Sequence, residues 1–154
     1  MRHWLLKSEP DTFGIDDLAA APRRTTSWEG VRNYQARNML RDDFAPGDLG
    51  FFYHSSCAEP AIVGIVEVTR AGYPDASAWN PRSDLHDARS PENKPLWYTV
   101  DVRLKRRMKR AITLVELREH ADKELAGFAL LRTGNRLSVM PVDAKHWQFI
   151  IGLE

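Results

Sequence analysis

The chain carries a single cysteine, Cys57, so no intrachain disulfide and no CxxC metal knuckle can form. A reducing cytoplasm is the expected setting, nucleoid-associated if the source is bacterial. No apolar run approaches the roughly 20 residues that a membrane-spanning helix needs. The opening Met1-Arg2-His3-Trp4-Leu5-Leu6-Lys7 turns polar too soon for a signal peptide. Charge of one sign is also missing: Lys+Arg 22 against Asp+Glu 21 leaves a formal net charge of +1. Any footprint for a polyanion must therefore come from local clustering. GxGxxG, the phosphate-binding P-loop and GxSxG are all absent, which removes the usual signatures of nucleotide-driven and hydrolase chemistry. His3, His54, His86, His120 and His146 fall in no HxH or HExxH pattern, so neither a metal site nor a cofactor is expected.

What is present fits one packed domain spanning 1–154, with 43% hydrophobic and 28% charged residues. Arg2 to Lys7 has the character of a strand, broken by Ser8-Glu9-Pro10 because proline lacks a donor and restricts its predecessor. Ile15 to Ala21 predicts a short helix and Val31 to Arg41 a longer one, with Asn33, Arg37 and Arg41 on a polar stripe. Leu49 to His54 and Ala61 to Thr69 predict a hairpin of two strands, the second apolar on both faces. Residues 74–95, with four prolines, form a long irregular stretch of the kind that often serves function. Leu96 to Arg106 alternates as a strand. Thr113 and Glu116 predict a capping box, Leu137 to Met140 a short strand, and Asp143 the start of a last helix. No regular βαβ rhythm exists, so the expected class is α/β in the α+β sense: a curved, partly closed mixed sheet of five to six strands flanked by short helices.

The densest chemistry lies in Trp28-Glu29-Gly30-Val31-Arg32-Asn33-Tyr34-Gln35-Ala36-Arg37-Asn38. Aromatic faces stack on bases, amides read base edges and arginines hold phosphates. Trp28 is equally the kind of residue that plugs a core loop. Tyr53-His54-Ser55-Ser56 ends a strand, where side chains reach a pocket mouth or simply close a turn. Arg103 to Arg110 holds six basic residues in eight. It is either a phosphate-contacting ridge or an edge strand protected by charge. Gly134-Asn135-Arg136 is a turn that presents an amide and an arginine.

Four segments, Trp4-Leu5-Leu6-Lys7-Ser8-Glu9-Pro10, the Trp28 to Asn38 stretch, Gly47-Asp48 with Phe51-Phe52-Tyr53-His54-Ser55, and Gly134 to Val142, together resemble the EVE domain family. The resemblance spans essentially the whole chain and keeps the family's order. It implies a PUA-like fold, a small β-barrel flanked by helices, and kinship with the YTH readers of methylated adenine. It also implies a non-enzymatic reader that takes a modified cytosine of DNA, such as 5-methyl- or 5-hydroxymethylcytosine, into an aromatic pocket. DNA is favoured over RNA as partner, no membrane is involved, and a monomer is favoured.

By that resemblance Trp28 forms the main wall, so that Trp28→Ala is expected to abolish base preference while the fold survives. Lys7, Ser8 and Glu9 read the base edge, with the Glu9 carboxylate accepting from an exocyclic amine. Asn33, Tyr53, His54 and Ser55 line the pocket, and Trp79 or Trp97 supplies a second wall. Arg32, Arg37 and Arg136 contact flanking phosphates, and Arg106 and Arg107 belong to the basic ridge. Where an asparagine is frequent after Ser55, this chain has Ser56-Cys57. Two other functions remain as alternatives. One is an RNA-binding module associated with RNA modification. The other is a small amidohydrolase acting on modified nucleosides through Lys7, Ser8 and Glu67.

Overall fold

The computed structural model describes residues 1–154 and consists of six strands with short helices between them. The strands are β1 (His3–Ser8), β2 (Thr25–Ser27), β3 (Leu49–His54), β4 (Ala61–Pro74), β5 (Tyr98–Thr113) and β6 (Val139–Val142). They form one mixed sheet in the order β2-β5-β4-β3-β1-β6. It is an open sheet, with β2 and β6 as its two ends, and its only parallel pair is β1 with β3. The expected hairpin is the β3–β4 antiparallel pair. β4 and β5 are long, at 14 and 16 residues. Several register shifts between them, as at Ile62/Gly64 and Val68/Arg70, are the bulges by which a long ribbon bends.

Period-2 alternation puts a core on each face of the sheet. Trp4, Leu6, Phe52, Val66 and Val102 face one side, where Leu18, Leu40 and Phe44 close over them. These come from α2 (Ile15–Ala20) and from the segment that holds α3 (Tyr34–Asn38) and the π-helical turn Met39–Asp43. Leu5, Phe51, Ile62 and Met108 face the other side, under Leu117 of α4 (Leu114–Arg118) and Trp147 and Ile150 of α5 (Ala144–Ile151). A four-residue helix, α1 (Pro10–Phe13), completes the set. No helix is long and apolar enough to cross a membrane.

Some boundaries differ from expectation for local reasons. The helix predicted from Val31 begins at Tyr34 instead, because the Asn33 side chain accepts from the Ala36 amide at 3.0 Å and so caps it. β2 has only three residues and no hydrophobic alternation. Backbone pairing of Thr26 with Val102 defines it, and its sequence has no strand pattern to reveal it.

The basic ridge proves to be largely neutralised. Arg103 pairs with Glu67 at 2.9 Å, Arg106 with Glu154 at 2.5 Å, Arg107 with Asp16 at 2.8 Å and Arg110 with Glu116 at 2.7 Å. β2 covers β5 only from Asp101 to Arg103, so the charges lie along an uncovered edge, where they deter strand addition. The guanidinium groups of Arg106 and Arg107, expected to contact phosphates, are engaged with carboxylates of the same chain.

Glu154 does more than neutralise Arg106. Its carboxylate also accepts from the Lys109 backbone amide at 2.7 Å, occupying a donor of that free edge. Hydrogen bonds from Arg106 hold its pKa down to about 2. A carboxylate lowered in the folded state stabilises above its unfolded pKa and loses that contribution as pH falls through the folded value. Glu154→Gln is expected to lower unfolding free energy by about 2 kcal/mol at pH 7. In urea titrations the gap from the parent should close as pH approaches 2.

Candidate functional site

The ends of β1 and β3 meet the turn before β6. The Lys7 amide donates to the Ser138 carbonyl at 2.8 Å and the Ser55 amide to the Ser8 carbonyl at 2.9 Å. Three of the sequence-selected segments therefore converge at one corner. Gly134 has φ +76, a left-handed position that a side chain would strain. Asn135 then fixes the turn from both ends of its amide. It donates to the Ala129 carbonyl at 2.6 Å and accepts from the Leu137 amide at 2.9 Å.

This turn is a wall shared by two cavities. One, of about 540 Å³, is lined by Lys7, Tyr53, Arg118 and Arg132 to Asn135. Burial lowers the pKa of the Lys7 ammonium and raises the Tyr53 phenol to about 12. Tyr53 is thus a neutral donor at any physiological pH. The other cavity, of about 490 Å³, has Asn33, Gln35 and Met39 on one side and Arg132 to Leu137 on the other. Arg136 is exposed there. Positive charge, neutral donors and amides at one concave corner suit a polar, electron-rich planar ligand carrying an anionic group.

Other predicted residues are committed elsewhere. Ser8 Oγ donates to the Phe13 carbonyl, and His54 Nε2 accepts from the Ile15 amide at 3.1 Å. An imidazole that accepts through Nε2 is neutral, and burial lowers its pKa accordingly. Both side chains thereby tie α1 and α2 to the sheet. Glu9 is exposed at the start of α1.

Trp28 is not an open wall. It is only 7% exposed, belongs to the core cluster, and meets Phe52 edge-on at 5.6 Å. It packs with Trp4, Leu6 and Phe52 on one face of the sheet, whereas Tyr53 packs with Leu5 and Phe51 on the other. Trp97 is likewise buried, with its indole donating to Asp87 at 2.8 Å and Tyr34 stacked on it at 5.2 Å. Trp79 is half-buried, and its indole nitrogen has no partner.

The arginines after Trp28 hold the protein together. Arg32 donates to Asp75 at 3.0 Å and to the Leu85 carbonyl at 2.7 Å. Arg37 donates to the Leu96 carbonyl at 2.9 Å and lies over Tyr34. These donors, expected to meet phosphates, point into the fold, where they fasten the irregular stretch after β4 to the Trp28 loop. Asp75, absent from the sequence-derived set, is the centre of that fastening. It also accepts from the Gly30 amide at 2.9 Å and from the Ser77 amide at 2.9 Å. Its one sequence signal is the Asp75-Ala76-Ser77 spacing of an Asx turn. Arg132 and Thr133, which line both cavities, stand just before the turn and carry no pattern of their own.

Comparison with known proteins places this architecture. The EVE domain profile matches residues 2–153. Human thymocyte nuclear protein 1 is 42% identical over 166 aligned positions, which take in 99% of this chain and 73% of that protein. The crystal structure of human THYN1 protein in complex with 5-methylcytosine containing DNA superposes with a TM-score of 0.95 at 39% identity, covering 99% of this chain and 97% of that one. A crystal structure of a Pseudomonas putida protein gives a TM-score of 0.91 at 46% identity, covering 98% of both chains.

Proposed function

The chain belongs to the EVE domain family, and from that membership we propose that it binds DNA and reads a modified cytosine without chemically changing it. The observation that carries this reading is the shared turn at 132–136. It brings Lys7 and Tyr53 on one side, and Asn33 and Arg136 on the other, around one concave corner. A base flipped out of the duplex enters that corner. Lys7 and the Tyr53 hydroxyl donate to its acceptor edge, and Glu9 at the rim accepts from the exocyclic amine. Arg136 meets a flanking phosphate. Support comes from the close superposition on a relative whose structure holds 5-methylcytosine-containing DNA.

The register argues against the amidohydrolase alternative. Lys7 lies opposite Tyr53 on β3, whereas Glu67 lies opposite Leu49, four residues further along that strand. At about 3.3 Å per residue along the strand and about 4.8 Å between neighbouring strands, with β3 lying between the two, the separation is roughly 16 Å. Glu67 is bound to Arg103 and the Ser8 hydroxyl to a carbonyl. Those three side chains do not assemble.

Fluorescence anisotropy with matched oligonucleotides carrying cytosine, 5-methylcytosine or 5-hydroxymethylcytosine tests the reading. The parent should prefer a modified base, and Lys7→Met should lose about tenfold in that preference, the size of one lost hydrogen bond. If Lys7→Met discriminates as well as the parent, the corner is not the base site. If matched RNA outcompetes DNA, the partner is RNA instead.

A further inference from the structure

A second cationic feature lies upstream of Trp28 and takes no part in the site above. The Arg24 amide donates to the Ala21 carbonyl at 2.8 Å, closing a turn around Pro22 and Arg23. Arg23 and Arg24 have φ values of 57 and 51, two consecutive non-glycine residues in the left-handed region. Glycine or asparagine takes such positions with less strain. An observed outlier of this kind is grounds for a functional hypothesis. Both arginines are exposed and neither enters an ion pair, while Arg103 and Arg107 on adjoining β5 are neutralised by Glu67 and Asp16. β5 adds two more cations without an ion pair, Lys105 and Lys109.

The turn leads directly into β2, and β2 leads directly into Trp28. Four residues of extended chain put Arg24 about 13 Å from Trp28. We propose that Arg23 and Arg24, presented by this left-handed turn at the β2–β5 edge, form a clamp on the DNA phosphate backbone to one side of the recognised base. This rests on the DNA-binding reading above and adds a sequence-independent contact to it. The left-handed conformation projects two side chains from a short turn at one end of the sheet.

The test is Arg23→Gly combined with Arg24→Asn, a variant suited to the left-handed backbone. Its melting temperature should equal or exceed the parent's. Its affinity for fluorescein-labelled 16-base-pair duplexes, with and without a single 5-methylcytosine, should fall by the same factor for both. The slope of log K against log salt should become shallower by about 1.8, as expected for two lost phosphate contacts. An unchanged slope overturns the clamp. A loss confined to the methylated duplex also overturns it, because the arginines would then act on the base. A parent that binds both duplexes equally sinks the modified-base reading but not the clamp, whose slope change is still measured. A parent that binds neither sinks both.

Discussion

Trp28→Ala is expected to cost about 3–5 kcal/mol of stability, the usual penalty for removing a large aromatic side chain from a packed core. For a domain of this size that is a fall in melting temperature of roughly 10 °C or more. The reason is where the side chain sits: 7% exposed, in the same cluster as Trp4, Leu40 and Phe52, with its own amide donating to the Val100 carbonyl at 2.8 Å. An exposed stacking wall would give the opposite result, lost recognition with the fold intact. Trp28→Phe separates the two roles. It keeps most of the apolar volume, so stability should fall by less than half as much. Any loss of base preference in that variant then reports on a role of the indole beyond core packing. A Trp28→Ala protein that melts within about 2 °C of the parent would show that this core assignment is mistaken.

Asp75→Ala should be nearly as damaging, at about 3 kcal/mol, because it leaves a partly buried guanidinium without its partner. The Asp75 side chain is fully buried, and Arg32 is one quarter exposed. Burial pushes the Asp75 carboxyl upward, but hydrogen bonds from Ser77, Gly30 and Arg32 more than offset this and hold it below the ordinary range. A lowered carboxylate stabilises above its unfolded pKa of about 3.9, and that contribution is lost as pH falls below it. Hydrogen exchange should show the damage first in residues 75–97 and in the Gly30 amide. Those are the groups that Asp75, Arg32 and Arg37 fasten together. Loss of protection spread evenly over the sheet would contradict a local fastening.

The strands with clean alternation or continuous apolar character were legible in the sequence, and so were the caps. Thr113 accepts from the Glu116 amide at 3.1 Å, as its spacing predicts, although the Glu116 carboxylate turns to Arg110 rather than back to the cap. β2 was not legible, because Thr25-Thr26-Ser27 is a strand only by virtue of β5 beside it. Of the cavity-lining residues, the turn at Gly134-Asn135-Arg136 and the half-buried Lys7 were legible from local signals. The fates of Arg32, Arg37, Arg106 and Arg107 were not, since an arginine's sequence neighbours do not say which carboxylate or carbonyl lies across the fold. Asp75 and Arg107 have partners 43 and 91 residues away. Only the folded chain brings those together.

The position of β1 has a consequence for biosynthesis. It is hydrogen-bonded on one side to β3 and on the other to β6, with Leu5 facing Phe51 and Met140. Its pairing with β6 therefore cannot form until the whole chain between Ser8 and Val139 has been made. At 5–20 residues per second that interval is on the order of 10 s. Throughout it, Trp4, Leu5 and Leu6 present an apolar strand with one unpaired side. The nascent chain is then a natural client for a chaperone that shields such a strand, and truncation before residue 139 should release an aggregation-prone product rather than a smaller folded domain.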